Sequence, residues 1–238
     1  MAITESGSPV LATETSDDNI VQSYTAASGT TILVSVLNSA QSVSSITYNG
    51  GTWEELHESG LILGICRESV WMSVDSADGV AHDMTITFSA AIGGELAHAV
   101  ITAWAGGVTT SIAAAHRTVY TDNTDVGDMN ITVSDAVSGD MIVHGLSNWG
   151  TAPVAVETVV SQTDSILAGA YDHLLQRKAA TGGDAMTITG GQFGAAWAFA
   201  LIPAAAGPTI TAVAGAVALT GVASVFRVGA TTWLRYAK

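Results

Sequence analysis

The 238-residue chain carries 21 Asp and Glu against 7 Lys and Arg, a formal net charge of −14, and is 48% hydrophobic. Such acidity repels phosphate backbones and argues against nucleic-acid binding, and the apolar content suffices for a packed core rather than disorder. Cys66 is the only cysteine, which excludes an intramolecular disulfide and a cysteine-based metal cluster.

In chain order, residues 1–19 read as a polar arm without the basic start and apolar run of a signal peptide. TTILVSVLN (30–38) is a continuous apolar run that predicts a central strand buried on both faces, or one near a sheet crossing. In SITYNGGTWEEL (45–56), Asn49-Gly50-Gly51 predicts a tight hairpin, because Asn-Gly supplies the positive φ angles such a turn needs. ICRESVWMSV (65–74), HDMTITFS (82–89) and ELAHAVITAWAG (95–106) follow as strands. The alternation of Met84, Ile86 and Phe88 with Thr85 and Thr87 marks one covered face.

The same order then recurs. GDMIVHGLSN (139–148) matches TTILVSVLN, and VAVETVVSQT (154–163) stands where GTWEELHES stood. AGAYDHLLQRKAATGG (168–183) parallels ICRESVWMSVDSADG, Met84-Thr85-Ile86-Thr87 returns as Met186-Thr187-Ile188-Thr189, and GAAWAFALIPAA (194–205) takes the place of AHAVITAWAG. Two copies, about 30–107 and 138–206, are expected, joined by a polar bridge at 108–137. The predicted fold is all-β, a two-sheet antiparallel sandwich of about ten strands spanning 20–206, with pseudo-two-fold duplication. After Gly207-Pro208 the composition shifts to small residues, Val and Thr, so 207–238 reads as a β-type C-terminal extension and attachment segment. Gly190, Gly191, Gln192, Pro203 and Pro208 interrupt the uncharged stretch between Asp184 and Arg227, so no membrane span is expected.

These strings carry a resemblance. SITYNGGTWEEL, VWMSVDSADG followed by MTITF, AHAVITAWAGGV, and then SGDMIVHGLS and GGDAMTIT resemble a family of jelly-roll-like sandwich domains encoded in phage genomes and in large bacterial surface proteins. The tail around AGAVALTGVASVFRV is similar to Leu-Thr-Gly segments that close many phage structural proteins. The resemblance implies a virion component at the phage particle surface.

Motifs for chemistry are scarce. The sequence has no G-x-S-x-G elbow, P-loop, GxGxxG or H-E-x-x-H, and no cofactor is expected. His57, His82, His98, His116, His144 and His173 are scattered and read as turn, surface or satisfied strand residues. Glu54 and Glu55 are strand neighbours facing opposite ways and cannot act as a glycosidase pair. Asp122, Asp125 and Asp128 gather carboxylates as a calcium loop does, but without EF-hand spacing, so a solvated acidic loop is preferred. Trp71, Trp104 and Trp197 read as core. Trp53 and Trp149, beside turns, are candidate glycan-stacking platforms. Phe226, Arg227, Trp233, Arg235 and Tyr236 mix aromatics with cations as interface anchors do. The expectation is a non-enzymatic structural protein, a capsid decoration (cement) or head or tail fibre component acting by protein–protein adhesion. Its partners would be other virion proteins and further copies of itself, trimers by analogy with virus lattices and fibre axes. The alternative is a carbohydrate- or receptor-binding fibre module.

Overall fold

The computed structural model describes residues 2–14, 17–39, 41–61, 66–92, 97–122, 128–149, 153–165, 171–189, 193–205, 209–213 and 216–220. Its strands are β1 (Thr4–Glu5), β2 (Val10–Glu14), β3 (Asn19–Thr25), β4 (Thr31–Ser39), β5 (Val43–Thr47), β6 (Glu54–Glu58), β7 (Cys66–Ser73), β8 (Ala81–Phe88) and β9 (Ala97–Ala105). One short helix, α1 (Ile112–Ala115), follows. The strands resume as β10 (Tyr120–Asp122), β11 (Met129–Val133), β12 (Met141–Trp149), β13 (Val154–Ala155), β14 (Thr158–Ser165), β15 (Tyr171–Ala179), β16 (Asp184–Thr189) and β17 (Phe193–Leu201). The strands β18 (Thr209–Val213) and β19 (Ala216–Thr220) end the described chain. The chain divides into two compact units, Met1–Ala204 and Ala205–Lys238.

The expected all-β antiparallel sandwich is what forms, with more layers than two. In the first unit the strand order β1-β9-β4-β7-β6, with β2 also on β9, makes one large sheet, and β3-β8-β5 makes a small one. The second half repeats this order as β10-β17-β12-β15-β14 and β11-β16-β13. One core, including Ile20, Val34, Val36, Ile86 and Ile101, lies between the first half's two sheets. Another, including Ile131, Ile142, Leu146, Met186 and Ile188, lies between the second half's two sheets. A third joins the large sheets back to back through Leu33, Val70, Met72, Val100, Trp104, Val143, Leu175, Trp197 and Phe199. The extra layers follow from the central strands. β4 and β12 are buried along both faces, so each large sheet needs cover on two sides. A small sheet supplies one cover and the other half supplies the second.

Three local expectations change. Residues 1–19, expected to be a polar arm, hold β1 and β2 on the edge of β9, where Ile3 and Ala12 are buried. The bridge 108–137 contains α1, β10 and β11. Asn49 and Gly50 do take positive φ (45° and 66°), and Gly51 N donates to Tyr48 O. The turn nevertheless makes no hairpin, because β5 pairs with β8 in the small sheet whereas β6 pairs with β7 in the large one. Tyr48 is buried and Trp53 packs against the same core, so the loop between them closes the side of the first sandwich.

The second unit, Ala205–Lys238, contains β18 and β19 paired antiparallel from Thr209–Thr220 to Val213–Ala216 as a two-stranded sheet.

Candidate functional site

With β4 and β12 both nine residues long, Thr31 corresponds to Met141 and Asn38 to Asn148. The ladders then match position for position. Val34 pairs with Trp71 and Ile101, and His144 pairs with Gln176 and Ala198. Leu37 pairs with Glu68, and its counterpart Ser147 pairs with His173. Glu68 and His173 therefore occupy the same place in the two halves. They meet across the seam between the large sheets, His173 Nε2 lying 3.9 Å from Glu68 Oε1, both side chains wholly buried. A residue near a two-fold axis meets its own equivalent in this way.

Around this pair lies a sealed polar cluster. Trp197 Nε1 donates to Glu68 Oε1 at 2.9 Å. Ser35 Oγ is 2.8 Å from His173 Nε2, and the Nδ1 atoms of His98 and His173 are 3.0 Å apart. One of those Nδ1 atoms must donate and the other accept. His98 Nε2 is enclosed without a partner, so a proton on His98 Nδ1 leaves no buried N–H bare and directs His173 Nε2–H onto Ser35. Burial pushes the Glu68 carboxyl up to about 8, against the lowering effect of Trp197 and Ser147. Burial also drives His98 down to about 4 and His173 well below its ordinary value, the neighbouring His98 adding to the latter. At neutral pH the pair is thus a carboxylic acid beside neutral imidazoles rather than an ion pair, the less costly form for groups this deeply buried. Gly145 makes room for it: a Cβ there would fall 2.3 Å from the Trp197 ring.

A second buried pair sits inside the second sandwich. Gln176 Nε2 donates to His144 Nδ1 at 3.0 Å and to Thr187 O at 2.9 Å, while Gln176 Oε1 accepts from Val156 N and Glu157 N. This one amide ties the inner sheet faces to the turn between β13 and β14. Burial holds His144 down to about 3.

The chemistry available to these groups is limited by access, since Ser35, Glu68, His98 and His173 are all at most 2% exposed. Among the described residues there is an open groove of about 370 Å³ lined by Thr52, Glu54, Val74, Asp75 and residues 109–113. Asp75 Oδ1 is already engaged by Thr52 N and the Ser73 hydroxyl.

Of the residues singled out from sequence, Trp71, Trp104 and Trp197 are core. Trp53 is partly buried, packing on the first core with its indole nitrogen enclosed. Trp149 ends β12, with backbone paired to Tyr171 and Phe193; its side chain lies outside the described residues. So do Asp125, Phe226, Arg227, Trp233, Arg235 and Tyr236. Asp122 ends β10 and Asp128 precedes β11, and among the described residues no group of three or more His, Cys, Asp or Glu is placed to hold a metal. His98, His144 and His173 are buried strand residues. Sequence reasoning missed the Glu68 cluster. The available signal was one carboxylate in the apolar strand CRESVWMS, aligned by the repeat with a histidine in YDHLLQRKA.

Comparison with protein-family models, with curated proteins and with solved structures finds no match to this chain. What the fold itself defines is a tandem of antiparallel β-sandwiches.

Proposed function

We propose that the chain is a non-catalytic structural protein that works by protein–protein adhesion, a surface component of a phage virion of the decoration or fibre kind. The observation that carries the reading is where the reactive side chains lie. Glu68, His98 and His173 join the two halves and are closed to solvent, which suits a rigid display body rather than a reaction site. The virion placement rests on the sequence resemblance. Charge supports an attachment role for the tail: the first unit holds every acidic residue, for a formal −17, and the second holds Arg227, Arg235 and Lys238 with no acid, for +3. Deleting 208–238 tests this. The truncated chain should lose attachment to the parent particle, and undiminished binding would reject the reading.

The groove at Thr52, Glu54 and Asp75, rich in hydroxyls and carboxylates, favours a second reading as a glycan-binding module. A glycan array should then show signal that Glu54→Ala removes; an array blank for the wild type would reject it.

A further inference from the structure

The two sandwiches end differently on one side. In the first, Glu54 and Glu55 pair with Met72 and Trp71; in the second, Thr158 and Val159 pair with Arg177 and Gln176, and a bulge follows at the same place in both. Val159 thus stands where Glu55 stands. In the small sheets, Ile46 and Ala155 hold equivalent places opposite Ile86 and Ile188. By the same register Ser45 and Thr47 correspond to Val154 and Val156. Three polar positions in the first half are therefore valines in the second, and those valines are 60%, 55% and 46% exposed for Val154, Val156 and Val159.

The loop differs too. Asn49 to Trp53 has no counterpart between Glu157 and Thr158, so among the described residues no equivalent of the Trp53 loop covers that side of the second sandwich. β13 and β14 are edge strands of their sheets. Exposed edges are ordinarily blunted by charge, as Glu54, Glu55 and Glu58 blunt β6. The start of β14 carries Thr158 and Val159 at the places of Glu54 and Glu55, and Glu157 just before it is held by Lys178 at 3.2 Å, so this part of the edge is not blunted by free charge and is open to pairing.

The chain also carries a matching donor. TITAV and AVALT of β18 and β19 contain no charged residue. Among the described residues they form a two-stranded sheet, and two strands alone are marginal in water and call for a third. The donor's own unit is cationic and the acceptor's unit acidic. We infer that the β18–β19 hairpin of one copy adds to the edge of β14 in a second copy, beside the exposed Val154 and Val156, joining subunits head to tail by strand addition. The inference rests on the adhesive reading above and names a second copy as the partner. Such a contact is heterologous, so it closes into a ring or continues as a filament.

Two full-length variants test it. One, Val154→Ser with Val156→Thr and Val159→Glu, gives the edge the residues that the first half already carries. The other, Thr211→Pro with Ala218→Pro, removes strand-pairing capacity from the hairpin. In sedimentation velocity the wild type should self-associate at micromolar concentration, and each variant alone should weaken association by more than about tenfold, the equivalent of ~1.4 kcal/mol. Mixing the two should restore a one-to-one pair, because each retains what the other lacks. A monomeric wild type, variants that associate unchanged, or a mixture that stays monomeric would overturn the inference. Should the wild type be monomeric while deletion of 208–238 still abolishes particle attachment, self-association fails and the adhesive reading stands.

Discussion

The two halves share a strand order and even a bulge position, yet they fill equivalent places with opposite chemistry. Where the first has Val34 against Trp71, the second has His144 hydrogen-bonded to Gln176. Where the first has Ser35 beside Val100, the second has Gly145 beneath Trp197. Glu68 answers His173 across the seam. The difference teaches that a repeated scaffold constrains the backbone while leaving paired positions free to diverge. The divergence here is complementary at the seam, where a carboxyl meets an indole N–H, and unreciprocated at the edge, where valines replace Ser45, Thr47 and Glu55.

The most damaging way to break the comparison is to remove its asymmetry. Gly145→Ser gives the second half the first half's residue, but its Cβ would lie 2.3 Å from Trp197. A cost of about 3 kcal/mol is expected from overpacking, read as a lower urea midpoint with unchanged slope. Gln176→Ala comes next. It strips partners from Val156 N, Glu157 N and His144 Nδ1, and loss of about 2 kcal/mol is expected from buried groups left unsatisfied. Amide hydrogen exchange should rise at the turn between β13 and β14 while β3, β8 and β5 stay protected. Trp197→Phe removes the donor to Glu68 and should cost about 1–2 kcal/mol, measured by the same unfolding curves.

Much of the fold was legible in the sequence for a physical reason. Alternation such as Met84, Ile86, Phe88 and the two-sided run of β4 are dictated by burial, and the repeat of these patterns put the strands of the two halves in register. The number of layers was not legible, because a run buried on both faces does not say what covers each face. Nor was the change of sheet at Asn49-Gly50-Gly51: turn chemistry sets the local φ angles, but whether the flanking strands pair is decided by Tyr48 and Trp53 packing on the core. The candidate site was hidden for a related reason. Glu68, His98 and His173 lie 30 and 75 residues apart in the chain, and only the back-to-back packing of two large sheets brings them together.

The smaller effects lie in pH. His98, His144 and His173 are held neutral below their ordinary value of 6.5. The unfolded chain therefore takes up protons that the folded chain refuses as pH drops below about 6.5, and stability falls on the acid side. Glu68 acts oppositely. Its carboxyl is raised from 4.5 to about 8, so its contribution is complete below 4.5 and is lost as pH climbs through 8. Burial also lowers the half-buried His57 and raises Glu5 and Glu55, but the three deeply buried imidazoles against the one deeply buried carboxyl, Glu68, make the acid limb the steeper, with greatest stability near pH 6.5. Chemical unfolding at a series of pH values checks the shape.

The seam is tested most directly by comparing that profile between the wild type and Glu68→Gln, which keeps an oxygen acceptor for Trp197 and cannot ionise. The wild type should lose stability from pH 6.5 to 9 while the variant stays nearly level over that range. Parallel decline of both proteins would contradict a neutral Glu68 buried between the halves.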